Sequence, residues 1–236
     1  MFKRLLLLLI IFLAACTNEP VLVKKDTPPE DPNKKPEIVE QQHDNEEEVD
    51  EFIEFVLPDE KVMINLEMVP ILNEYLHASQ DRKKVIEQMS IDRMDVTGKS
   101  LYLLKFSCHN DICSYMLLDQ TKDNQAYLIA DLAKLIQMEV SLDETKILFH
   151  FDRNIQSPVP PSDIVVIELE KWEPVSLVNQ TSDKEILDYK WPIITADWNE
   201  DQTISATIPD IGEPNLQQWN ESDQPTKRIE FSIEAN

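Results

Sequence analysis

Cys108-His109-Asn110-Asp111-Ile112-Cys113 brings two thiols, an imidazole and a carboxylate within six residues. It lies between two β-type runs, so the four intervening residues suit a hairpin loop with Asn110-Asp111 at its tip. Two cysteines at the base of paired strands fit a disulfide. A metal site using both thiols, His109 and Asp111 is the first alternative and redox catalysis the second. Redox chemistry prefers a two-residue spacing and a neighbouring positive charge, and this stretch offers neither. His109 with Asp111, and His150 with Asp152, are i,i+2 pairs that share one face of an extended strand. Such a pair orients an imidazole as a base, but no nucleophile motif completes it, and the four histidines show no zinc spacing.

The remaining candidates are weaker. Trp172, Trp191, Trp198 and Trp219 offer an aromatic surface for sugars or peptides, or else core and turn packing. Trp219, in a polar stretch near the C-terminus, is the one expected outside the core. The possible binding residues are therefore His109, Asp111, His150, Asp152 and Trp219. No catalytic residue and no metal site is assigned. Acid pairs such as Glu200-Asp201 carry no glycosidase signal in a chain with 45 acidic residues.

Composition narrows the classes. A net charge of −23 repels nucleic acid and anionic headgroups. Only two glycines, Gly98 and Gly212, leave no phosphate-cradling loop, and no cofactor is implied. Turns must use Asp, Asn and Pro instead.

The residues that would place these groups fall into four stretches. Residues 1–15 carry Lys3 and Arg4 followed by an apolar run too short to span a bilayer. Residues 16–57, with Thr27-Pro28-Pro29-Glu30 and the acid block Asp44 to Glu51, read as a disordered acidic, Pro-rich tether. Residues 58–90 read as a helical segment, from Val62, Leu66 and Val69 onward, interrupted at Pro70. A second helix there opens with Ser79 as N-cap and Asp81 in its first turn. Residues 91–236 read as an all-β domain of short β-branched and aromatic runs, among them 101–106, 114–119, 146–151, 164–169, 203–208 and 229–233.

Two resemblances follow. Leu13-Ala14-Ala15-Cys16 matches the lipobox of bacterial lipoproteins, which implies cleavage after Ala15 and a lipid on the Cys16 thiol. Cleavage would leave 221 of the 236 residues and move the net charge from −23 to −25. The implied address is the extracytoplasmic face of a cell membrane, the outer face of the cytoplasmic membrane in a Gram-positive cell. Cys108 and Cys113 then remain as a pair in an oxidising compartment.

The second resemblance rests on an internal repeat. Ser141-Leu142-Asp143 before Ile147, and Trp198-Asn199-Glu200-Asp201 before Ile204, resemble the turn-and-strand motif of TolB-type β-propellers, without its Pro and Gly. Residues 100–208 are then two blade-like, antiparallel, propeller-like meanders, an incomplete propeller or small sheet assembly, with the helices covering a face or edge. Together these features imply a non-enzymatic binding or assembly module of the cell envelope. Its partners are the membrane through the lipid anchor and an envelope protein or wall component, met at an exposed strand edge in one version. The alternative is a surface hydrolase acting on wall polymer or peptide. Oligomeric state is not legible.

Overall fold

The computed structural model describes residues 20–26, 31, 34–42, 49–120, 125–153, 160–181, 184–200, 202–213 and 225–234. The signal-like stretch, Cys16 and Trp219 lie outside them. No helix of the described residues is long and apolar enough to cross a membrane.

The stretch expected to be a tether carries three strands. β1 (Leu22–Lys25), β2 (Glu37–Gln42) and β3 (Val49–Val56) join β4 (Lys61–Asn65) in an antiparallel sheet of order β1-β4-β3-β2. The alternation that forms it is Ile53 and Phe55 against Ile64 and Val62, all buried on one face. The Pro-rich stretch 27–30 and residues 44–48 of the acid block lie outside the described residues, while Glu51, at the end of that block, pairs with Arg82 at 2.6 Å. Glu54, buried in the middle of β3, meets Lys34 at 3.4 Å and Lys61 at 3.5 Å. The helical reading of 58–90 is also corrected in its first part. Val62 takes a strand period with Ile64, because so short an apolar run fits either period until a partner strand selects one.

Helices α1 (Pro70–Ala78) and α2 (Arg82–Ile86) follow. Pro70 opens α1 at its first turn, where its missing N–H costs nothing. Ser79 is the C-cap of α1, and its hydroxyl donates to the Tyr75 carbonyl. Asp81, rather than Ser79, caps α2, its side chain accepting from the Lys84 N–H at 3.0 Å.

Seven strands come next in chain order: β5 (Ser90–Met94), β6 (Leu101–His109), β7 (Ile112–Asp119), β8 (Gln125–Val140), β9 (Lys146–Asp152), β10 (Ser162–Glu168) and β11 (Glu173–Pro174). They form one antiparallel sheet, and β8 is its corner. Residues 125–133 pair with β7, while 134–140 pair with β9. The sheet folds over there, so that Leu103, Tyr115 and Leu117 pack on Ile147, Phe149 and Phe151. The Tyr115 and Phe151 rings lie 5.3 Å apart. A strand that changes layer at bulges is how packed sheets turn such a corner, and β8 has register shifts on both sides of the bend. A last sheet, of order β12-β15-β14-β13, is built from β12 (Leu177–Asn179), β13 (Thr195–Glu200), β14 (Thr203–Pro209) and β15 (Thr226–Ile233).

Four sheet layers result, counting the folded sheet as two, with three cores between them. Strands of the two middle layers are covered on both faces, which is why Leu101 to Leu104 and Ile147 to Phe149 are unbroken apolar runs. Acidic residues pin the layers together. Glu60 is 3% exposed and accepts from Lys24 Nζ at 2.9 Å, Tyr102 OH at 3.0 Å and Arg93 Nη1 at 3.3 Å. The Trp198 N–H and indole donate to the Glu139 carboxylate and carbonyl.

The expected mainly β, antiparallel class is what forms. Of the two expected meanders, the first lies in the folded sheet, from β6 to β9, while the second runs from β9 and β10 of that sheet into β13 and β14 of the last one. Ser141 to Thr145 do sit at a hairpin turn, between β8 and β9, and Trp198 to Glu200 end β13 beside its hairpin partner β14. No propeller closes, since no core joins the first sheet to the last among the described residues.

Candidate functional site

The β6–β7 hairpin and the corner of β8 lie side by side, and the backbone is unusual in both. Asn110 and Asp111 take φ of 50° and 64° between the paired residues His109 and Ile112, a two-residue loop of the kind that matches strand twist. Ser107, at the bulge below the tip, has φ 52° and Leu132, at the corner, φ 50°. Asn and Asp tolerate this region, whereas a leucine there is strained. Cys108 and Cys113 lie at disulfide distance with Cα atoms 4.1 Å apart, closing the hairpin as expected. His109 and Asp111 are exposed at its tip.

Beside this hairpin is a groove of about 310 Å³. Tyr75 of α1 and Phe106 of β6 meet edge to face at 5.6 Å and, with Leu128, make its apolar wall. Ile71 and Leu132 stand on either rim, 48% and 59% exposed. Asp131 sits beside Leu132, and its Oδ1 accepts from the Ser114 hydroxyl at 2.5 Å. The corner is braced from behind by the Tyr115 hydroxyl, which accepts from the Leu135 N–H at 3.1 Å. Burial pushes that phenol's pKa up, keeping it neutral in the acceptor role.

His150 and Asp152 are placed elsewhere, at the interface of the third and fourth layers. His150 is 1% exposed, and among the described residues neither ring nitrogen has a partner in hydrogen-bond geometry. Burial pushes its pKa down to about 4, against the opposing pull of the Ile193 backbone and Asp197, so the ring is neutral at pH 7. Its Nε2 lies 3.7 Å from Asp152 Oδ1. The Ser162 hydroxyl donates to that same oxygen at 2.6 Å and accepts from the Ile193 N–H. A Ser, Asp and His are thus together, but the carboxylate stands in the middle. A hydroxyl nucleophile needs the imidazole beside it as base. Ser162 is also fully buried. The arrangement holds two strands together and offers no route for acyl transfer.

Trp191 is buried under the Lys184 ammonium, and Trp172 and Trp198 are half-buried, so the described tryptophans form no exposed aromatic surface. Among the described residues no three His, Cys, Asp or Glu side chains group as metal ligands. A cavity of about 720 Å³ between residues 34–38 and α2 is lined by Lys34, Lys35, Arg82 and Lys83. These cations are already paired, Arg82 with Glu51 at 2.6 Å and Lys35 with Glu87 at 3.0 Å, and Lys34 closely with Glu37. Such pairing leaves little unbalanced charge for an anionic ligand.

Of the residues singled out by sequence, the structure joins Cys108, His109, Asp111 and Cys113 in one hairpin and sets His150 and Asp152 apart from them. Ile71, Leu132 and Asp131 were not foreseen. The alternation of Tyr127 to Ala130 ends at Asp131, which hides the continuation of β8. No protein-family model matches the chain, and no curated protein matches it.

Proposed function

We propose that this chain is a membrane-anchored extracytoplasmic lipoprotein acting as a non-enzymatic binding or assembly module of the cell envelope. The observation that carries the binding part is the exposed apolar groove at the corner of β8, rimmed by Ile71 and Leu132 and stiffened by the Cys108–Cys113 hairpin. Exposed apolar side chains around a preformed depression are what a partner's side chains need in order to leave water. The stacked antiparallel sheets serve as a rigid frame for that corner. The anchor rests on Leu13-Ala14-Ala15-Cys16 alone. The hydrolase alternative requires His150 and Asp152 to reach a substrate, and His150 is inside the core.

Replacement Cys16→Ser in the full chain is the test of the anchor. The wild type is expected in the membrane fraction and the variant in the soluble extracytoplasmic fraction; retention of the variant on the membrane would overturn it. Purified chain incubated with wall polymer and with peptides is expected to leave both intact, and their shortening would overturn the non-enzymatic reading.

A further inference from the structure

We propose that the groove between α1 and the corner of β8 takes an extended peptide of a partner protein, seating one large apolar side chain with a neighbouring lysine or arginine against Asp131. The proposal rests on the binding-module reading above and gives it a mode and a partner class.

Three independent features converge on it. The first is where the exposed apolar residues lie. Eight large hydrophobic side chains are exposed among the described residues, and two of them, Ile71 of α1 and Leu132 of the corner strand, face each other across this groove's lining. Ile71 and Leu132 rim a cavity of about 310 Å³, enough for one large side chain but not for a cofactor. The second is backbone strain. Leu132 holds φ at 50°, a conformation that glycine would take freely, and it does so with its side chain at the groove mouth. The corner backbone that takes this φ also fixes the Leu132 side chain at the groove mouth. The third is charge. Asp131 is exposed at the rim, its Oδ1 engaged by Ser114 and its Oδ2 without a partner among the described residues. The whole chain carries −23, so its field draws cationic segments and repels acidic ones. An apolar anchor flanked by a cation satisfies all three.

The test is fluorescence polarisation of the full chain with labelled ten-residue peptides. One set carries a leucine flanked by lysines in a Ser/Thr background; the controls replace the lysines by glutamates or the leucine by serine. Binding of the Lys/Leu peptide alone is expected. Leu132→Asp should weaken it about tenfold, as loss of an anchor contact does, and Asp131→Asn about fivefold. Leu142→Asp, at a turn residue 84% exposed and outside the groove, should change nothing. Leu132→Gly is the decisive variant. It relieves the strained φ, so the melting temperature should rise by about 2 °C while binding still falls about tenfold. Equal binding of Lys/Leu and Glu/Leu peptides, or no loss in Leu132→Asp, would overturn the proposal. A photo-cross-link to an envelope protein from position 142, with no peptide binding at the groove, would overturn this mode yet leave the binding-module reading standing. Loss of both would remove both.

Discussion

His150 shows how a residue can look functional in sequence and be structural in the fold. Set between Phe149 and Phe151, it alternates with them, and the alternation turns it into the third core while they face the second. Its neutral form is the buried one, and its pKa in the folded chain is about 4 against 6.5 in the unfolded chain. Between those values the unfolded state binds the extra proton, so stability is full above pH 6.5 and is lost as pH falls towards 4. His150→Leu should remove this dependence. The wild type should lose up to about 3 kcal/mol relative to the variant over that window, measured by urea unfolding at pH 7 and pH 4.5. Asp152, pushed up by burial, acts in the opposite sense at the acid end, which is why the comparison with the variant is needed. The i,i+2 spacing of His150 and Asp152 was legible in sequence. Which face it turned to was not, because both faces of β9 are covered and its pattern is unbroken.

At the scale of elements, most β strands beyond residue 100 were legible, since β-branched and aromatic runs of five or six residues bounded by Asp, Asn and Pro have few other outcomes; the short β11 and β12 and the second half of β8 were not. The β6–β7 hairpin was legible for the same reason, with Asn110-Asp111 supplying the two positive φ values. The first sheet was not. Val49 to Val56 mixes acids with apolar residues without strict alternation, and its charge disguised a strand whose acid Glu54 is paired with Lys34 and Lys61, the former brought from a different part of the chain. The same logic governs Glu60, which binds β1, β5 and β6 through Lys24, Arg93 and Tyr102. Glu60→Gln removes the buried counter-charge of the Lys24 ammonium, only 18% exposed, and leaves it the exposed Asp26 at 2.8 Å. The expected cost is about 1.5 kcal/mol, read as a lower urea midpoint with an unchanged slope. A shift under about 0.5 kcal/mol would show that the layers are held by packing alone.

For the whole molecule, the early start of the fold changes the geometry of any anchor. Val21 and Leu22 are buried, so a lipid on Cys16 would be joined to the folded body by the four residues 17–20, a Cys16-to-Val21 reach of about 18 Å. The first sheet would then stand next to the membrane instead of at the end of a forty-residue spacer. The corner of β8, on the folded middle sheet, is carried by layers beyond it. Cleavable access should follow this order: proteases added outside intact cells should not cut between Cys16 and Val21 before they cut elsewhere, and early release of the intact body would contradict the close seating.

The claim that this is a binding module acting through the β8 corner is tested most directly by photo-cross-linking in intact cells. A photoreactive residue at position 132, with position 142 as the comparison, would be activated and the membrane fraction examined for adducts of the chain. The account predicts a discrete protein adduct from position 132, absent from position 142 and abolished by Asp131→Asn with Ile71→Asp. An equal adduct pattern from both positions, or none from 132 while the chain is abundant in the membrane fraction, would contradict it.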